Sequence, residues 1–194
     1  MSRRIGLKDV HVAVVTANDS TTYTTDAPIK LFKAISGKVT VKRSAEPIYS
    51  DDDLEDTITA LDAIEVEFEG NKLTLEMVSR ILGCRYEGGM LVDNKDDAAI
   101  EVALGFRSKE SSGKYEFTWL YCGKFDGDDE ESYETQGQKP APKSKSLKGT
   151  FYSRKKDGNF RVRVNEGELL AEHVDAKTAI DAWFSEVQEP ISVV

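Results

Sequence analysis

The sequence predicts a mainly β protein of antiparallel sheets, with helix confined to two short places. Three observations predict it. Apolar residues recur at every second position in several segments, as they do in a half-buried strand. Turn-forming residues separate those segments, and only two stretches carry the three- and four-residue spacing of an amphipathic helix.

Ile64, Val66 and Phe68 share one strand face, while Asp62, Glu65, Glu67 and Glu69 form an acidic set mostly on the other. Ile100, Val102, Leu104 and Phe106 repeat the alternation, as do Tyr115, Phe117, Trp119 and Tyr121. Val39 and Val41 alternate with Lys38, Thr40 and Lys42, and Phe160, Val162 and Val164 with Arg161 and Arg163. Such patterns fit antiparallel sheets with one wet face. Asp157-Gly158, between Phe151-Tyr152 and Phe160, reads as a hairpin turn, and Ser111-Ser112-Gly113 joins two of the strands.

Leu73, Met77, Val78, Ile81 and Leu82 have helical spacing, with Asn71 as the expected N-cap and Gly83 as the stop. A second short helix is expected near the end, capped by Asp175, with Ala179, Ile180, Trp183, Phe184 and Val187 on one stripe and Pro190 as its terminator. Two stretches lack periodicity and are expected as long loops, at about 44–56 and 126–146. One domain spanning 1–194 accommodates all of this.

The net charge of −9 and pI near 4.9 disfavour a protein that grips DNA through a basic patch. Cys84 and Cys122 are far apart with no Cys-x-x-Cys spacing, so no metal motif is expected and a reducing compartment is the simplest reading. The apolar stretch near the start is too short for a signal peptide, and no run approaches the ~20 apolar residues of a membrane helix. His11 and His173 are the only histidines and stand at opposite ends, which supplies a triad or zinc site poorly. Gly113-Lys114 lacks the rest of a phosphate loop, and paired carboxylates such as Glu65 and Glu67 are too abundant to point to a glycosidase. No catalytic set, cofactor or metal is expected.

Several stretches are similar, in order along the chain, to the major tail protein of long, non-contractile-tailed bacteriophages, also called the tail tube protein. They are Arg4-Ile5-Gly6-Leu7-Lys8-Asp9-Val10, Ala45-Glu46-Pro47-Ile48-Tyr49-Ser50-Asp51-Asp52-Asp53, and Val102-Ala103-Leu104-Gly105-Phe106-Arg107-Ser108. Trp119-Leu120-Tyr121-Cys122-Gly123-Lys124-Phe125, Glu134-Thr135-Gln136-Gly137 and Leu147-Lys148-Gly149-Thr150-Phe151-Tyr152 follow. The resemblance implies a β-sandwich or barrel with a flanking helix. It implies hexameric rings stacked into a hollow tube for DNA passage, no catalytic residue, and tape measure and tail terminator proteins as partners. The implied location is the virion tail, with assembly in the host cytoplasm.

Within that reading, Glu65, Glu67 and Glu69 are expected to face the lumen and repel DNA, unless Lys38 and Lys42 pair with them into a neutral ladder. The 44–56 stretch, carrying Pro47, Ile48, Tyr49, Asp51, Asp52 and Asp53, is expected to bridge subunits or successive rings. The alternatives are the related tube of bacterial secretion machines and a stand-alone β-sandwich module that decorates a virion or binds a ligand.

Overall fold

Period-two alternation becomes strand wherever one set of side chains finds a core. A computed structural model describes residues 2–50, 53–127 and 144–191. In chain order the strands are β1 (Arg4–Asn18), β2 (Tyr23–Thr25), β3 (Ile29–Phe32), β4 (Ala34–Ser50) and β5 (Asp53–Gly70). Helix α1 (Leu75–Leu82) precedes β6 (Arg85–Glu87), β7 (Met90–Val92), β8 (Val102–Glu110), β9 (Tyr115–Phe125), β10 (Lys145–Tyr152) and β11 (Arg161–Asn165). A 3-10 turn at Glu166–Glu168 and helix α2 (Val174–Asp181) follow.

Among the described residues the fold is thus mainly antiparallel β with two helices. The main sheet runs β2-β1-β8-β9-β10-β5-β4, with β3 also on β1 and β11 also on β9, while β6 and β7 pair separately. Inward residues of the main sheet, including Val10, Val12, Ile64, Val66, Phe68, Leu104, Leu120 and Phe151, form one core cluster with Leu73 and Ile81 from the α1 region. The sheet curls so that β4 approaches β1: a Cβ on Gly37 would lie 2.8 Å from Leu7 Cδ2.

Two glycines permit close packing across the ladder. Gly105 is the cross-strand partner of Trp119 and Gly123 of Phe151. A Cβ would fall 2.6 Å from the Trp119 indole in the first case and 2.2 Å from the Phe151 ring in the second. An aromatic ring therefore lies over bare backbone, the arrangement that compensates glycine's missing side chain in a sheet.

The wet outer face expected of every strand is absent from β9, whose residues 116–123 are all buried. The chain from α2 onward covers that face. Trp183 packs with Ala13, Ala103, Phe117 and Trp119, and the Trp119 indole N–H donates to Trp183 O at 2.9 Å. Tyr121 OH donates to Gln188 O at 2.9 Å, and Phe184 stacks on His11 with ring centroids 4.4 Å apart. Arg154, with a fully buried side chain, lies 4.2 Å from the centre of the Tyr121 ring and pairs with Asp157 at 2.5 Å and Glu189 at 2.7 Å. The terminal segment is thereby tied down by charge-assisted bonds as well as by apolar contact.

Four expectations need correction. Asp157-Gly158 is not the turn of a β-hairpin. Strands β10 and β11 both pair with β9, end to end, and 153–160 is an excursion closed by Arg154 N donating to Asn159 O at 2.9 Å. The α1 N-cap is Thr74, whose Oγ1 accepts from Met77 N at 3.3 Å, whereas Asn71 Oδ1 accepts from Lys33 N. Helix α2 starts before Asp175 and stops at Asp181, so Trp183 and Phe184 lie beyond it and reach the sheet from turns.

The fourth correction concerns 44–56, expected as a loop. Its described residues are strand, with Ser44 opposite Ala60, Pro47 opposite Thr57 and Ser50 opposite Asp53. Pro47 obscured this because it breaks a strand pattern, yet β4 is an edge strand, where a missing N–H is tolerated. Of 126–146, residues 128–143 lie outside the described residues, and Lys145 and Ser146 already belong to β10.

Candidate functional site

Strand β5 buries Ile64, Val66 and Phe68, so its alternate residues must point away from the core. Glu65 and Glu67 are exposed there and Glu69 is half-buried. The strands flanking β5 set their neighbours. Glu69 sits between Ser36 and Ser146, Glu67 between Lys38 and Lys148, and Glu65 between Thr40 and Thr150. Lys124 of β9 extends the last row beyond Thr150. The face is a carboxylate stripe bordered on both sides by hydroxyl and ammonium groups in matched rows.

The bonding follows these rows. Lys42 pairs with Glu65, Lys148 Nζ stands 4.0 Å from Glu67 Oε1, and Ser36 Oγ donates to Glu69 Oε2 at 3.2 Å. Ser144 also donates to Glu69. Four lysines, Lys38, Lys42, Lys124 and Lys148, thus stand on the face with the three glutamates, which makes the surface a charge lattice rather than a bare acidic one. A shallow depression of about 330 Å³ lies over Lys38, Thr40, Glu65, Glu67, Lys148 and Thr150. Lys124, Lys148 and Thr150 escaped the sequence reading. Their signal was the alternation of Lys148 and Thr150 with Leu147, Gly149 and Phe151.

The second candidate region is the far part of the β4–β5 hairpin. Strand β10 pairs with β5 only from Ile64 to Gly70. Beyond Ile64 the ribbon has no third strand among the described residues, while β4 and β5 stay paired as far as Ser50 and Asp53. Pro47 and Ile48 lie on this arm with exposed side chains, Ile48 at 38%. Tyr49 belongs to β4, opposite Leu54, and Asp53 opens β5. Asp51 and Asp52 lie outside the described residues.

Elsewhere, an open groove of about 1020 Å³ between the β8–β9 turn, the Glu166–Glu168 turn and α2 is lined by both signs of charge. Lys114 in it is held by Glu166 at 2.9 Å, and Glu166 accepts from Tyr115 N as well, at 3.2 Å. These contacts lower the Glu166 carboxyl below its usual range, the Lys114 hydrogen bond first. Cys84, Asp93 and Asp97 bring a thiol and two carboxylates within 4.8 Å of one another. No helix among the described residues is long and apolar enough to cross a membrane.

No protein-family model matches the sequence, and no curated protein matches it.

Proposed function

We propose that the chain is a self-assembling β subunit whose β4–β5 arm is completed by neighbouring copies. The unsupported arm carries this reading. A two-stranded ribbon is at best marginally stable alone in water, and a long edge strand exposes unpaired backbone groups that invite another chain. Among the described residues, strand β4 is such an edge along its whole length, from Ala34 to Ser50. A ring of identical subunits satisfies it by placing the β4 edge of one copy against the opposite sheet edge of the next.

Within that class, we infer a tail tube protein of a long, non-contractile-tailed phage, in which hexameric rings stack into a conduit for DNA. The motif series from Arg4 to Tyr152 supports this, including Ala45 to Asp53, whose described residues lie on the arm. The wet face of β4, β5 and β10 is then the lumen lining. Its rows hold carboxylate, ammonium and hydroxyl side chains, a hydrated surface on which Glu65, Glu67 and Glu69 interrupt the lysines that would otherwise grip DNA phosphates.

Negative-stain microscopy of concentrated protein tests both steps. Hollow tubes are expected from the natural chain. A variant joining Pro47 to Thr57 through an Asn-Gly turn should stay folded and monomeric, and tubes from that variant would refute the arm's role. Persistent monomers of the natural chain would favour the stand-alone module.

A further inference from the structure

The short β6–β7 sheet has little to hold it. It contains three residue pairs, turned by Gly88 and Gly89 at φ 59° and 81°, and exposes Tyr86, Met90 and Val92. An isolated two-stranded sheet of this size is marginal. Its open end, where the pairing runs out, holds an unusual set of side chains.

Arg85 is the partner of Val92, so Cys84 and Asp93 occupy the next position on the two sides of the hairpin base. Asp97 returns to the same place through a turn in which Asp97 N donates to Asn94 O at 3.0 Å and Asn94 N donates to Asp97 Oδ2 at 2.7 Å. The base is fixed to α1 from the other side. Gly83 caps the helix at φ 79°, and a Cβ there would lie 2.4 Å from Ala98 O. Ser79 Oγ donates to Cys84 O at 2.5 Å, and Ile100 N donates to Ile81 O at 3.1 Å.

Cys84 is more than nine-tenths buried, at 8% exposure, and its thiol points to the two carboxylates. Both carboxylates are exposed, and the Cys84 S–H stands within hydrogen-bonding reach of each of them. The three donor atoms lie within 4.8 Å of one another. Tetrahedral bonds of about 2.0–2.3 Å separate ligand atoms by about 3.3–3.8 Å, a closure that side-chain rotation supplies.

We propose that Cys84, Asp93 and Asp97 bind one divalent transition-metal ion, zinc above all, which clamps the base of the β6–β7 hairpin to the end of α1. The donor set selects the metal class. Calcium and magnesium take oxygen ligands alone, whereas one sulfur with two carboxylate oxygens suits a borderline ion. Three protein ligands leave a fourth position for water. Binding transfers the Sγ proton to solvent and forms the metal–sulfur bond in its place.

The site does not rest on the tube reading, because binding is measured in whatever assembly state the chain adopts. Titration of the reduced full-length protein with Zn²⁺ alone should show one site per chain by calorimetry. Co²⁺ in its place should give the charge-transfer absorption of a thiolate ligand. Cys84→Ser should abolish that band, whereas Cys122→Ser, which alters a thiol fully buried in the core, should leave it. Asp93→Asn and Asp97→Asn should each weaken Zn²⁺ binding by more than the roughly 10-fold lower bound for losing an outer-shell partner. A natural protein that shows no thiolate band with Co²⁺ would overturn the proposal, and that measurement needs no variant to fold. Zn²⁺ affinity unchanged by Cys84→Ser, or equal affinity for Ca²⁺, would overturn it as well.

Discussion

Lys38 and Glu67 are direct partners across the β4–β5 ladder, and Lys148 faces the same carboxylate from β10. One negative charge therefore separates two positive ones across three strands. Glu67→Lys places three cations abreast. It should destabilise the monomer by roughly 0.2–1 kcal/mol per like-charged pair. Urea unfolding should show this loss at low salt and a smaller one at high salt, where exposed charges are screened. Glu67→Gln should lose less in the same measurement.

The arm separates stability from assembly. Ile48 is exposed and outside the core cluster, so Ile48→Glu should shift monomer unfolding by no more than about 0.5 kcal/mol. Sedimentation should nonetheless show that tubes are weakened or lost. A large drop in melting temperature instead would mean that the arm is part of the monomer's own core.

Gly123 tests the aromatic cover over bare backbone. Gly123→Ala drives a methyl group into the Phe151 ring and should cost about 1–3 kcal/mol, the usual range for overpacking. Adding Phe151→Leu should recover part of that loss. Denaturant unfolding of the single and double variants reads both effects.

Acid should loosen the C-terminal cover through Asp157. Its hydrogen bond to Arg154 holds the carboxyl well below the usual range, with Asn159 N adding a further bond. Because the folded-state value is depressed, the stabilisation is fully present above the unfolded carboxylate value of about 3.9 and is lost as pH falls below it. Asp157→Asn should therefore lower the urea midpoint at pH 7 but change it less at pH 3. Equal loss at both values would assign the effect to hydrogen bonding alone.

Much of the sheet was legible because alternation records burial directly. Ile64, Val66 and Phe68 point inward and Glu65 and Glu67 outward, as their spacing requires. The sequence also put Lys38 and Lys42 on another strand as candidate partners of the acids, although not the row either would join. Strand register depends on partners far apart in the chain. Lys148 reaches Glu67 only because β10 lies on the other side of β5 from β4.

Local signals failed where a distant contact overrode them. Asp157-Gly158 has hairpin chemistry, but β9 recruits both flanking strands, so the turn becomes an excursion along one edge. Pro47 and the acidic run after it suggested a loop, yet the edge position of β4 makes the proline harmless. The Cys84, Asp93 and Asp97 cluster had no motif spacing to reveal it, since hairpin pairing and a turn bring its members together.

By itself, the sequence determined a mainly antiparallel β chain, the inward and outward faces of its strands, and the acidic stripe on β5. These follow from side-chain chemistry read at a period of two, which needs no knowledge of the partner strand. Tertiary structure alone decided the lysine borders of that stripe, the burial of both faces of β9, and the run of β4 and β5 beyond the other strands among the described residues. Each depends on which distant segments share an edge or cover a face. Hydrogen-bonded pairing and packing settle that only once the whole chain is folded.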